Sequence, residues 1–545
     1  MTTAEPTSSA PEAADFPIEW RGDEEALEWE WDDMHTPRAM PPLSEDYLAC
    51  LEAGFAYGYQ AVGHPAVIHV RVWNGYAYFA YQIEAPPEDH AAIRAAAPDR
   101  YRAEIPLTLA YWERSLEELR LRYAEIDAVT GTEPAAVLVP AWKRAWESAR
   151  RAWQIHVHAI TGPYQVLEDL ADRYEALIEG GSAVHALELV AGTVPELHAV
   201  DVDLERLAAS ASSAPAVAER LAAAPAPSLA ELERLPGGAP FLAELAAFQV
   251  RHGHLGSVLE DLMDPSWSED AGPLLAEVGR RIGQTPGAAE ARRAERAAVA
   301  ARRAELVRAA LVDRPSELAE LEALAAKARE ISHLTEGHNY WIDRMASDRL
   351  RRLAFRVGRR LVADGGIAEP EDVLFLHRVE IEELLAAPRD RRALVKDRRA
   401  RHERNRAMTP PAKVGTIRPS DPDAKPDRFE GGRFTADEDD TLRGTGASAG
   451  VASGTGAGMA IDSHSRRGRT APAGARRGRS WPTPSFDTNV PDPMRPATWP
   501  SAASRSYATV TVFRDTSSRA ASSRVGGRRS PGRRRPSSTA SSSCR

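Results

Sequence analysis

HNYWIDRMASDRLRRLAFRVGRRLVADGGIAEPEDVLFL, residues 338–376, is the stretch on which the fold turns. Trp341, Met345, Leu350, Leu353, Ala354, Val357 and Leu361 recur at steps of three and four, which places them on one face of a long amphipathic helix. Arg351, Arg352, Arg356, Arg359 and Arg360 crowd the remaining surface. Gly365-Gly366 supplies a left-handed C-cap at low steric cost. An acidic proline turn follows, and Val373–Leu376, too short for a helix, is expected to be a buried strand.

Around this stretch lies a chain of 545 residues, long enough for three or four domains and a sizeable core. No apolar run reaches the roughly 18 residues of a membrane-spanning helix. The acidic start MTTAEPTSSAPEAADFP lacks the basic and apolar regions of a secretory signal. Cys50 and Cys544 are the two cysteines, which argues against a disulfide framework or a cysteine-based metal site and for a reducing, cytoplasmic setting. The net charge of −10 is uneven: residues 456–545 hold 17 Arg and 4 Asp with no Lys or Glu. That segment is about +13, so the rest is strongly acidic.

In chain order, residues 1–14 read as a disordered leader, and the next stretch, to Trp31, is rich in Trp and acidic side chains. Met34 to Leu43, with three prolines in six residues, is extended and turn-rich. Its His35 and Arg38 either line a pocket or belong to a proline-stiffened loop. The clearest β signal is AVIHVRVW and YAYFAYQI around Asn74-Gly75, a type I′ hairpin over 66–83. Its His69 and Arg71 are expected on a solvated face.

After Glu88 the pattern is helical, with periodic segments at 107–128, 136–160 and 164–250 and a highly charged, largely exposed helix over 287–312. His156 and His158, two apart, point to different sides of a helix and cannot share a metal, so both are read as core or boundary histidines. Between helices, residues 248–270 gather Arg251, His252, His254, Asp261, Asp264 and Trp267 around Gly253 and Gly256. Polar groups at such a break suit a ligand pocket built from loops. The alternative is a plain connection whose His and Asp cap neighbouring helices.

Four segments, in order, resemble the phosphoenolpyruvate-utilising family, and within it the rifampicin phosphotransferase and phosphoenolpyruvate-synthase-like branch. Trp29-Glu-Trp-Asp32 to Leu43 is similar to a WxWDxxHxPxPxxPL pattern. Gly253-His254 with Asp264-Pro-Ser-Trp-Ser-Glu-Asp270 is similar to GHR…D…PRWxED. The 338–376 stretch resembles HYWIDR…RRLLLxxGRRLVxxGxLxEPEDVFFL. Leu442 to Thr455 resembles the GxGxSPGxxxGxA turn that opens a swivelling phosphohistidine domain, through Gly444, Gly446, Ser448 and Gly450.

The resemblance implies a mainly α fold. It would comprise an N-terminal region (15–87) with the hairpin, a helical acceptor-binding-like domain (88–406), a flexible linker (407–441) and the start of a swivelling β/α/β-type domain (442–455). Composition, poor in large aliphatics, adds a disordered basic tail (456–545). The resemblance also implies phosphoryl transfer through a phosphohistidine, with ATP or phosphoenolpyruvate and Mg as the family's cofactors. His35, Arg38, His254, His338, Tyr340 and Arg344 are then the expected substrate-binding groups for a small-molecule acceptor.

The chain departs from the family pattern at both ends. Nothing N-terminal to residue 16 could hold an ATP-grasp domain, so a separate ATP-grasp subunit is an expected partner. After Thr455 no GG…SHAAI-type segment appears, and His464, in Ser463-His-Ser-Arg-Arg467, lacks its surroundings. No residue is therefore assigned a catalytic role, none a metal, and none a confidently bound cofactor. The Arg/Ser-rich 456–545 is read as a shifted reading frame of a GC-rich gene, or else as a natural tail that binds polyanions nonspecifically. Three functions remain in view: a phosphotransferase-family protein incomplete as it stands, a non-catalytic small-molecule binder, and a polyanion binder. No HExxH, CxxC or G-x-S-x-G pattern supports other chemistry.

Overall fold

The computed structural model describes residues 16–417 except 34, 193 and 257–261, together with two short paired strands at 435–436 and 442–443. The leader, most of the linker, the swivelling-domain turn (Gly444, Gly446, Ser448, Gly450) and the basic tail lie outside the described residues. The fold is mainly helical with one small antiparallel sheet, as the periodicity indicates.

The sheet runs in the order β2 (Ala66–Trp73), β3 (Tyr76–Ile83), β1 (Glu28–Trp31), β4 (Lys413–Gly415). Asn74 and Gly75 both take positive φ (52° and 82°), as a type I′ turn requires, and Trp73 pairs with Tyr76. His69 and Arg71 are more engaged than a solvated face suggests: Arg71 Nε donates to Glu24 Oε1 (2.6 Å) and His69 Nδ1 meets Glu52 Oε1 (3.3 Å). β4 comes from the stretch expected to open the linker. It is fastened to the sheet, with Val414 opposite Trp29 and Tyr78 Oη donating to Pro411 O (2.9 Å).

The helices follow as α1 (Pro42–Ala61), α2 (His90–Glu104), α3 (Thr108–Asp127), α4 (Ala135–Leu177), α5 (Ala183–Glu188) and α6 (Pro195–Ser212). Then come α7 (Pro215–Ala222), α8 (Leu229–Glu233), α9 (Gly238–His252), α10 (Gly272–Arg281), α11 (Ala288–Ala310), α12 (Pro315–Ile331) and α13 (Leu334–His338). A π-helical turn, Asn339–Asp343, joins α13 to α14 (Arg344–Ala363), and α15 (Arg378–Ala386) and α16 (Arg392–Asn405) close the series. Proline stands at the first positions of α1, α6, α7 and α12, where its missing N–H costs no hydrogen bond.

α4 is the axis of the molecule. Trp142, Trp146 and Trp153 along it are at most 1% exposed, and such aromatics each remove roughly 150–250 Å² from water. α1 lies so close to α4 that a Cβ on Gly54 would sit 2.6 Å from Trp153 O, and one on Gly58 2.3 Å from Val157 Cγ1. Only glycine permits that approach. Leu43, Tyr47 and Leu51 of α1 thus share one core with Trp153, Leu350 and Val357. One core therefore runs across residue 87, and α1 is already helical before it. A second cluster joins the C-terminal half of α4 to α5, α11 and α12 through Leu170, Tyr174, Val307 and Leu321.

The opening stretch is built differently from the expectation in two respects. The single long helix is interrupted by the π turn. The expected strand at 373–376 is instead a 3₁₀-helix over Pro370–Phe375. Pro370 starts it, and Asp372 Oδ2 accepts from the backbone N–H of Ala368 (3.0 Å) and Glu369 (3.2 Å). Among the described residues no strand pairs with the segment, so burial of Val373, Leu374 and Phe375 is met by helical hydrogen bonding. The glycine stop is as expected. Gly365 has φ +75°, its N–H reaches Val362 O (3.0 Å), and Gly366 N–H reaches Leu361 O (2.8 Å), a Schellman closure.

Candidate functional site

The loop after α9 is the hub on which the sequence-selected residues converge. Its N-terminal arm pairs with its C-terminal arm: Trp267 N–H donates to Leu255 O and Ser268 N–H to Gly253 O, both at 2.8 Å. From one side α14 grips it. Arg344 Nη1 donates to Gly256 O (2.5 Å), Arg351 Nη1 donates to Leu262 O, and Arg351 Nε to Glu269 Oε2 (2.7 Å). From the other side come Ser44 Oγ, which accepts from Leu262 N–H (3.2 Å), and Arg38, paired with Asp264 at 2.7 Å. Two arginines of α14 are thus buried, Arg344 at 8% exposure and, from the expected basic face, Arg351 at 7%.

His254 and Tyr340 meet edge to face, with ring centroids 4.4 Å apart. The Tyr340 hydroxyl donates to Arg251 O (3.0 Å) and lies 3.0 Å from His252 Nδ1. His252 Nε2 faces Asp203 Oδ2 at 2.9 Å. Burial pushes His254 well below the usual imidazole range, reinforced by the charges of Arg349, His252 and Arg344. Burial also lowers Arg344 to about 10, although Asp343 and Glu336 oppose it, so the guanidinium remains charged at neutral pH. Burial raises the Tyr340 phenol. Among the described residues His254 Nε2 has no hydrogen-bond partner.

One turn away, the π segment brings His338 and Asp343 into the same interior space as His156 of α4. Asp343 Oδ1 stands 3.2 Å from His156 Nε2, and Asp343 Oδ2 stands 3.9 Å from His338 Nε2. The two imidazoles meet edge to face at 4.3 Å. His338 Nδ1 donates to Leu334 O (2.6 Å), which fixes its tautomer and leaves Nε2 as a lone pair. Burial, then the neighbouring His156, lowers His338 to about 4. For Asp343 burial works the other way, but His156, His338 and His35 outweigh it and hold the carboxyl below its ordinary range. His35 is braced on Asp32, with Nδ1 3.0 Å from Oδ1.

Five of the six expected substrate-binding residues therefore fall in two adjoining groups. His254, Tyr340 and Arg344 lie at the loop, and His35 and His338 at the buried carboxylate. The sixth, Arg38, reaches the loop's far arm. Sequence reading missed Asp343, His156 and the His252–Asp203 pair. The separation of His156 from His158 is as expected, for His158 turns away to Glu104 (2.9 Å). What periodicity could not show is that His156 faces another helix carrying a histidine and an aspartate.

Comparison with known proteins bears on this body of helices. Residues 157–336 match the family described as the rifampicin phosphotransferase fourth domain. The helical body resembles that domain. The likeness to a phosphoenolpyruvate-utilising, rifampicin-phosphotransferase-like family, first read from motifs, thus has independent support, and the chain is similar to a phosphotransferase-family member. Chondramide synthase cmdD of Chondromyces crocatus is 25% identical over 376 residues, 67% of this chain and 10% of the synthase. The matched part spans about a tenth of that relative's length. The matched fourth-domain segment holds His156's successor Val157, the α9 loop and His254, and stops short of His338. Among the described residues no helix is long and apolar enough to cross a membrane.

Proposed function

We propose that this rifampicin-phosphotransferase-like body is the acceptor-binding part of a phosphohistidine-mediated phosphoryl transfer. The observation that carries the reading is the convergence of His254, Tyr340 and Arg344 on the loop at 253–256. That group combines an imidazole held neutral, a phenol and a buried guanidinium beside aromatic surface. A neutral imidazole can take a proton from an acceptor hydroxyl. A guanidinium can stabilise the charge of a transferring phosphoryl group. The acceptor would be a small molecule with an apolar or aromatic body and a free hydroxyl. ATP or phosphoenolpyruvate with Mg would enter through the family's other parts, including a separate ATP-grasp subunit.

The test is calorimetric titration of the full chain with rifampicin, the acceptor in the name of the matched family. One-to-one binding weakened at least tenfold by His254→Ala, with Tyr340→Phe milder, is expected. Binding unchanged by both substitutions sinks the reading. Incubation with labelled ATP or phosphoenolpyruvate separates transfer from plain binding: acceptor bound but never phosphorylated, even with an ATP-grasp partner supplied, would make the body a non-catalytic binding module.

A further inference from the structure

We propose that His156, His338 and Asp343 form a binding site for a divalent transition-metal ion, with zinc as the best match. Their ligand atoms all lie within 4.8 Å of one another, and all three side chains are buried. Among the described residues His338 Nε2 and Asp343 Oδ1 are buried without a hydrogen-bond partner, and His156 Nε2 lies 3.2 Å from Asp343 Oδ1. Buried polar atoms left in this way are costly unless something fills the space between them. Two imidazoles and a carboxylate suit zinc or ferrous iron and not magnesium or calcium, which prefer oxygen donors. At zinc bond lengths near 2.0–2.2 Å, tetrahedral ligand atoms lie roughly 3.3–3.6 Å apart. The pairs at 3.2 and 3.9 Å bracket that spacing, so closure on an ion needs only small side-chain shifts.

Two further features favour a metal over a merely packed cluster. His338 donates its other ring nitrogen to a backbone carbonyl, Leu334 O, the outer-shell bond that orients ligating histidines. The π turn is what brings His338 and Asp343 onto one side. Arg344 N–H bonds back to Asn339 O, an i→i+5 closure, and residues five apart then stack where an α-helix would splay them. Three protein ligands leave a fourth position for water or a ligand oxygen. The proposal does not depend on what binds at the neighbouring loop.

The full chain, stripped with chelator and dialysed, is titrated with Zn²⁺ by calorimetry and with Co²⁺ by visible absorption. One-to-one Zn²⁺ binding and the intense absorption of four-coordinate Co²⁺ are expected. Asp343→Asn and His338→Gln should each weaken Zn²⁺ at least 100-fold, while His158→Gln should leave it unchanged. No saturable binding, or binding indifferent to both site substitutions in folded protein, overturns the proposal. Should those variants not fold, X-ray absorption at the zinc edge of the wild-type complex decides: a shell of two imidazoles and one carboxylate supports the site, and any other protein ligand set overturns it.

Discussion

His64 shows how a single titratable side chain can carry pH dependence in this molecule. It is 3% exposed, its Nε2 lies 2.9 Å from Tyr81 Oη, and the rings of Tyr59 and Tyr101 meet it edge-on. Burial, aided by the charge of Arg100, lowers it to about 4. A folded value below the unfolded one means that the unfolded chain binds more protons between about pH 6.5 and 4, so stability falls as pH falls through that window. His64→Gln should flatten the stability–pH curve there, read from urea midpoints at pH 7, 5.5 and 4.5. An unchanged slope would assign the acid sensitivity to other groups. Residue by residue, the sequence indicated which types were unusual in their places, such as His254 and Tyr340. It did not indicate which would be stripped of water, because burial is set by neighbours from distant segments.

At the scale of elements, the arginines of α14 are the instructive case. The periodicity correctly puts Leu350, Leu353, Val357 and Leu361 in the core, all at most 1% exposed. The opposite face is not simply solvated. Arg356 Nη1 reaches Ile126 O (3.3 Å), Asp127 O (3.2 Å) and Val129 O (2.7 Å) at the C-terminal end of α3. A cation there meets the last carbonyls of the helix, of which Ile126 O also accepts from Val129 N–H (3.2 Å), and the negative end of the helix dipole. Arg356→Ala should therefore cost about 1–2 kcal/mol, and Arg356→Lys should recover only part of that, since an ammonium cannot span three carbonyls in the same way. Equal stabilities of the wild type and the Ala variant in urea unfolding would refute this cap. The π turn at 339–343 marks the limit of periodic reading. One extra residue per turn shifts the phase of the helix, and His338 and Asp343 come together only because of it.

For the molecule as a whole, the N-terminal sheet and the chain after α16 form one unit. Trp31 N–H donates to Ala412 O (2.9 Å), and Val414 packs in a cluster with Phe16, Trp29, Trp73 and Tyr78. Val414→Asp would place a charge against these aromatics and should destabilise the sheet by about 2–3 kcal/mol. Hydrogen exchange should show β1 losing protection while the centre of α4 keeps it, and unchanged protection of β1 would count against the strand. By itself the sequence determined the hairpin at Asn74-Gly75, the run of amphipathic helices and the Schellman stop at Gly365, because each is written in neighbouring residues. Family-like motifs also marked the loop at 253–270 and the stretch after His338. The tertiary structure alone decided that β4 closes the sheet, that Arg344 and Arg351 turn inward to hold the loop, and that His156 meets Asp343 and His338. Periodicity fixes which side of a helix is buried, but which buried sides face each other is settled by packing around α4, where glycine contacts at Gly54 and Gly58 and a single π turn set the distances.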